Sequence, residues 1–170
     1  MAAAVVILPN IPKLTQILAG VRDSKQMTAL QRERFEPLIK EASLSWSVGF
    51  ASPAEIDQIG ILPATRLAAR RAVESLSLIP DYLITDYLDL PDIEVPQEKF
   101  VKGDMRSLTI AAASVLAKTA RDAQMRILDE QFPGYTLSRH KGYGTRLHRK
   151  AIQKLGKSRI HRQSFKLAST

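Results

Sequence analysis

The run Lys102–Met125, KGDMRSLTIAAASVLAKTARDAQM, places a carboxylate, Asp122, late on a small-faced helix rimmed by cations. Ala111, Ala112, Ala113, Ser114, Ala117 and Ala120 recur at helical spacing, so the helix can lie close against a sheet and hold Asp122 in one place. Rigid placement is what a metal-binding carboxylate requires. A second aspartate, Asp86, ends the run Asp81–Asp86, which reads as a short buried strand of the parallel type. Carboxylate oxygens suit hard divalent ions such as magnesium or manganese. Two such ions about 4 Å apart can activate a water and stabilise the leaving oxygen when a phosphodiester is cut in line. Position alone does not single the pair out. An aspartate at a strand end is commonly a turn residue, one beside basic helical neighbours is commonly a surface ion pair, and Asp89 and Asp92 stand close by.

Composition narrows the choice of ligand. The chain has 170 residues, 45% of them hydrophobic, enough for one domain with a sizeable core. It has no cysteine, which excludes a disulfide framework and a thiolate metal site and leaves Asp, Glu and His as the strong ligands. The apolar N-terminal stretch is too short to span a bilayer and lacks a basic lead-in, so a cytoplasmic protein with no membrane partner is expected.

The net charge of +8 is unevenly spread. Residues 101–170 hold 15 Lys or Arg against 4 Asp or Glu, and from Arg139 to Thr170 there are ten Lys or Arg, all three histidines and no acid. Such a block repels itself unless it meets a polyanion, and nucleic-acid phosphate is the natural partner; a solvated basic tail is the plainer alternative. Tyr143 between Gly142 and Gly144 favours nucleic acid, because an aromatic flanked by glycines can present its ring face to a sugar or base.

The elements that position these groups follow from periodicity and caps. Residues 2–8 read as a buried strand, and 44–51, with Trp46, Val48 and Phe50 alternating against Ser45, Ser47 and Gly49, as another. Thr28 with Gln31 and Ser52 with Glu55 are capping boxes, the second with Pro53 at the first helical position. A further helix runs from Pro63 to about Leu76, with Leu67, Val73 and Leu76 inward. Residues 87–97 form an acidic loop, Phe100-Val101 a short strand, and Thr145 to Leu155 a last helix ended by Gly156. Alternating strands and helices argue for an α/β layer architecture.

Five motifs in order resemble the ribonuclease HII family: Asp23-Ser24-Lys25, Ala54-Glu55-Ile56-Asp57, the alanine-rich run above, His140-Lys141-Gly142-Tyr143-Gly144-Thr145, and His161-Arg162-Gln163-Ser164-Phe165. The resemblance covers nearly the whole chain. It implies a ribonuclease H-like mixed sheet flanked by helices, a single domain over 1–170 with a basic helical C-terminal portion from about 131. One departure stands out: the family opens with a strand reading Gly-x-Asp-Glu-x-Gly-Arg-Gly, which has no counterpart here. A missing first central strand implies a gap between residues 2–8 and 81–86, and the start is read as a truncation or a misplaced initiator methionine.

The resemblance also assigns roles. Asp86 and Asp122 match the family's third and fourth carboxylates, as catalytic residues and ligands of Mg2+ or Mn2+. Lys118 and Arg121 flank Asp122, as phosphate contacts or as cations that lower its pKa. Lys25 is a phosphate contact on a turn ordered by Asp23 and Ser24, or else an ordinary loop lysine beside a helix start, and Lys141, Gly142 and Tyr143 bind substrate, the tyrosine by stacking on the sugar of the recognised ribonucleotide. His148 is a cap-region or phosphate contact. The implied activity is endonucleolytic hydrolysis of the RNA strand of RNA–DNA hybrids, with cutting at single ribonucleotides in duplex DNA, by a monomer. The alternative is a catalytically inactive remnant that still binds nucleic acid, because two carboxylates are poor ligation for two ions.

Overall fold

The structure, a computed structural model, describes residues 1–165, so the last five residues of the basic C-terminal portion lie outside it. Strand β1 (Ala2–Ile7) pairs antiparallel with β2 (Ser45–Phe50), from Ala2 opposite Phe50 to Ile7 opposite Ser45. Between them run α1 (Leu14–Ile17) and α2 (Ala29–Ala42), the latter opened by the Thr28–Gln31 capping box. Helix α3 (Pro53–Ile59) is opened by the Ser52–Glu55 box, and α4 (Ile61–Glu74) follows after Gly60. A second pair, β3 (Leu83–Asp86) and β4 (Gln97–Phe100), is parallel, with Asp86 opposite Phe100. A 3-10 turn at Gly103–Met105 leads into α5 (Leu108–Gln131), and α6 (Leu137–His140) and α7 (Arg146–Leu155) complete the order.

The expected gap is present. Among the described residues β1 pairs with β2 and β3 with β4, and no pairing joins the two sheets. A groove of about 830 Å³ separates β1 from β3, floored by Thr109, Ile110, Ala113, Ser114 and Ala117 of α5. Small side chains on α5 allow this close floor, as the sequence predicted.

The structure settles the inward face of β2, which alternation left open, and corrects that of α4. In β2 the small residues Ser45, Ser47 and Gly49 are turned inward, while Trp46 and Phe50 lie on the exposed side. In α4 the inward stripe is Ala64, Ala68, Ala69 and Ala72, and Leu67, Val73 and Leu76 are only partly buried. The two facings share a cause. Helix α4 lies so close on β2 that a Cβ at Gly49 would overlap the Ala68 carbonyl, and the Ser47 hydroxyl donates to the Ala72 carbonyl. Backbone approach at this range selects for small residues on both surfaces.

The main core gathers Val6, Leu18, Ile39, Val115 and Leu116 where β1, α2 and α5 meet. A separate apolar cluster of Tyr135, Leu137 and Ile152 holds α6 to α7.

Candidate active site and nucleic-acid interface

Asp122 continues the buried stripe Ile110, Ala111, Val115 and Thr119 of α5 and is only 6% exposed. A carboxylate there must be paired. Lys118, one turn earlier, brings its ammonium to 2.6 Å from Oδ1, and Arg32 of α2 brings Nη2 to 3.4 Å from Oδ2. Arg32 is itself 8% exposed, and its Nη1 donates to the Ser24 carbonyl at 2.8 Å and to the Met27 carbonyl. The turn carrying Asp23, Ser24 and Lys25 is therefore fastened to Asp122 through one guanidinium.

That turn is built as the sequence suggested. Asp23 accepts from the Lys25 amide at 2.9 Å and from the Gln26 side chain at 3.4 Å. The Ser24 hydroxyl is buried against Ser114 on α5 at 2.7 Å. Ser24 thus braces the turn from beneath, and Lys25 is the exposed member of the three.

Asp86 is exposed at the end of β3, and its Oδ1 accepts from the Gly103 amide at 2.9 Å, fixing the 3-10 turn before α5. The next residue of that turn, Asp104, went unassigned in the sequence. Burial pushes its carboxyl pKa up, and the charges of Asp23 and Asp86 add to this against the pull of Lys25. Asp86, Asp104 and Asp23 thus share one acidic neighbourhood that leads back through Ser24 and Arg32 to Asp122.

The basic side of the site is organised by the segment 140–145. Lys141 lies in the left-handed region at φ 52° and Gly142 follows at φ 76°, a pair of conformations that folds the loop back on α5. Arg121 Nη2 donates to the Lys141 carbonyl at 2.8 Å. The Tyr143 ring is 55% exposed, with the Arg121 guanidinium 4.8 Å and the Lys118 ammonium 5.6 Å from its centre. Burial, and then the charges of Arg126 and Lys118, lower the Lys141 pKa, which Asp122 partly opposes. Arg121 therefore serves the tyrosine loop, and Lys118 alone of the two flanking cations bonds Asp122. His148 is buried, with its amide donating to the N-cap hydroxyl of Thr145 at 3.3 Å, so the cap-region expectation fits and phosphate contact does not.

Arg32 was the functional residue hardest to see in the sequence. Its signal is an arginine on the same face of α2 as Phe35 and Ile39, a position that burial permits only with a fixed anionic partner.

Among the described residues no group of three or more His, Cys, Asp or Glu is placed to hold an ion. Asp86 and Asp122, the carboxylates singled out in the sequence, do not fall within such a group.

Known proteins share this fold and much of this sequence. The family model described as Ribonuclease HII matches residues 1–168. A ribonuclease HII of Nitrosococcus oceani is 45% identical over 166 residues, covering 98% of this chain and 80% of the relative. One from Chloroflexus aurantiacus is 48% identical, covering 97% of this chain and 78% of its own. Among solved structures, the ribonuclease H2 of Pyrococcus horikoshii superposes with a TM-score of 0.73 at 22% identity, over 99% of this chain and 95% of that one.

Proposed function

This chain belongs to the ribonuclease HII family, and from that premise we propose that it is an endonuclease that hydrolyses the RNA strand of RNA–DNA hybrids and cuts at single ribonucleotides within duplex DNA. One observation supports this most: Lys118 joins the buried Asp122 carboxylate, at 2.6 Å, to the exposed Tyr143 ring, at 5.6 Å from its centre. A group able to do hydrolytic chemistry and a group able to recognise a sugar are thereby held together on one helix and the loop it anchors.

In this reading Asp86 and Asp122 are the catalytic carboxylates. They are also the two ligands this chain offers to Mg2+ or Mn2+, the cofactor the reading calls for. Lys25, Lys141 and Gly142 contact the sugar–phosphate backbone, Asp23 and Ser24 present Lys25, and Lys118 sets the orientation of Asp122. Tyr143 supplies a ring face beside the 2′-hydroxyl, the one feature that distinguishes a ribonucleotide in duplex DNA. The protein acts as a monomer in the cytoplasm. Among the described residues no helix is long and apolar enough to cross a membrane.

The test is incubation of the purified chain with a DNA duplex carrying one ribonucleotide, with magnesium and then manganese. The expected result is cleavage there, leaving a 3′-hydroxyl upstream and a 5′-phosphate downstream, with an all-DNA duplex intact. Cleavage of both duplexes alike, or of neither with either metal, would overturn it.

A further inference from the structure

Three histidines lie behind the tyrosine loop, and their hydrogen bonds define which nitrogen of each carries a proton. The Ser158 amide donates to His161 Nδ1 at 3.1 Å, so that nitrogen is unprotonated and the His161 proton sits on Nε2. His161 Nε2 lies 3.1 Å from His148 Nε2, and His148 Nδ1 lies 3.0 Å from the Tyr143 carbonyl. A carbonyl only accepts, so His148 is protonated on Nδ1 and receives the His161 proton on Nε2. His140 stands apart from this line. It accepts from the Gly142 amide on Nδ1, bonds the Tyr135 carbonyl through Nε2, and stacks on His148 with ring centres 4.2 Å apart.

We propose that His148 and His161 are positioning residues for Tyr143, a relay of two neutral imidazoles that runs from Ser158 to the Tyr143 carbonyl and holds the ring in its recognition geometry. The inference rests on the proposed role of Tyr143 in reading a ribonucleotide. A neutral pair is the only arrangement the line permits, since a proton added to His148 Nε2 would set two N–H groups against each other. The surroundings agree. Burial lowers the pKa of both rings, and the nearby charges of His140 and, for His161, Lys157 act in the same direction against backbone hydrogen bonds that raise it. The groups facing the pair are His140 and Tyr135 on one side and Lys157 and Ser158 on the other. The segment that carries His161 is itself fixed, because Asp57 on α3 accepts from the amides of Gln163, at 2.6 Å, and Ser164, at 3.0 Å. The Glu-Ile-Asp and His-Arg-Gln-Ser-Phe motifs thereby serve the tyrosine loop from outside the site.

The experiment has two readouts on the full chain. Long-range proton–nitrogen NMR at pH 7.5 should show His148 as the Nδ1–H tautomer and His161 as the Nε2–H tautomer. In binding, measured without metal by fluorescence anisotropy, the preference for a duplex with one ribonucleotide over all-DNA should fall about five- to tenfold in His161→Ala. The loss should add nothing to that of Tyr143→Ala. His161→Gln, which can still donate to His148 and accept from Ser158, should restore most of the preference. The wild-type preference should also decline on acidification, but only below the ordinary histidine range, because burial lowers both rings. A charged or Nε2-protonated His148 at pH 7.5, or additive losses in the double variant, would overturn the relay. If Tyr143→Ala leaves the preference unchanged while both tautomers are as stated, the role of Tyr143 in recognition fails instead.

Discussion

Lys118 and Asp122 form an ion pair of 2.6 Å one helical turn apart, with side chains 16% and 9% exposed. Helical i,i+4 pairs on open surfaces are worth only a few tenths of a kcal/mol. This one is shielded and shares its carboxylate with Arg32, so removing Asp122 strands two cations, while removing either cation leaves the carboxylate with a single partner.

Asp122→Asn keeps the shape and removes the charge. Turnover should fall by at least about a thousandfold while duplex affinity stays within about threefold, because hydrolysis needs the carboxylate and phosphate binding does not. Single-turnover cleavage and anisotropy on the same preparation check this. Undiminished turnover would take Asp122 out of the chemistry.

Arg32→Met should loosen the Asp23–Met27 turn. The substitution leaves the Ser24 and Met27 carbonyls without their donor and Asp122 with Lys118 alone, a loss on the order of 2–4 kcal/mol. Urea unfolding gives the total. Hydrogen exchange should locate the local part at the Lys25 and Gln26 amides, and exchange there as slow as in the wild type would show the turn to be held by other means.

Gly49→Ala tests the closest contact in the fold. Its backbone is ordinary, so the need for glycine comes from space alone: an added Cβ would meet the Ala68 carbonyl and crowd the Ala72 amide. Neither is a side chain that can swing away. Helix α4 would have to move off β2, at a cost on the order of 3 kcal/mol, visible as a fall in melting temperature.

This contact also shows where sequence reading stopped. The caps at Thr28, Ser52 and Gly156 were legible because each is a local rule between residues close in the chain. The strand at 45–50 was legible as a strand, but its inward face was not. Alternation reports two faces, and the usual guess puts Trp46 and Phe50 inside. The answer lay in α4, whose alanines select the small face, a relation between elements that no window over one of them contains. The site divides in the same way. Asp122 and Tyr143 stand in quoted motifs and Asp86 ends a strand-like run, whereas Arg32, and Asp104 within the Lys102–Met125 run, acquire meaning from partners far away in sequence.

Tyr143→Ala separates recognition from affinity. The ring is exposed, carries no core packing and is faced by two cations, so its loss should leave the melting temperature within about 1 °C. It should lower discrimination for a ribonucleotide about tenfold, more than it lowers overall duplex affinity. Salt should weaken both variants steeply and in parallel, since the phosphate contacts are untouched. Equal losses on ribonucleotide-containing and all-DNA duplexes would make the tyrosine a general contact.

Glu55 gives the chain a stability term in the acid range. Its carboxylate closes the capping box of α3 and receives Arg71 Nη2 at 2.7 Å, and these bonds, Arg71 foremost, hold its pKa down to about 2. A depressed carboxylate contributes stability that is present above its unfolded pKa, about 4.3, and lost as pH falls through the folded value. The stability difference between the wild type and Glu55→Gln should therefore be constant from pH 7 to about 5 and shrink steadily toward pH 2. Asp57, held low chiefly by Ser164, contributes a slope of the same sign to both proteins and cancels in the difference. Urea unfolding of the two proteins across this range is the measurement, and a difference independent of pH would mean that the Arg71 contact does not persist in solution.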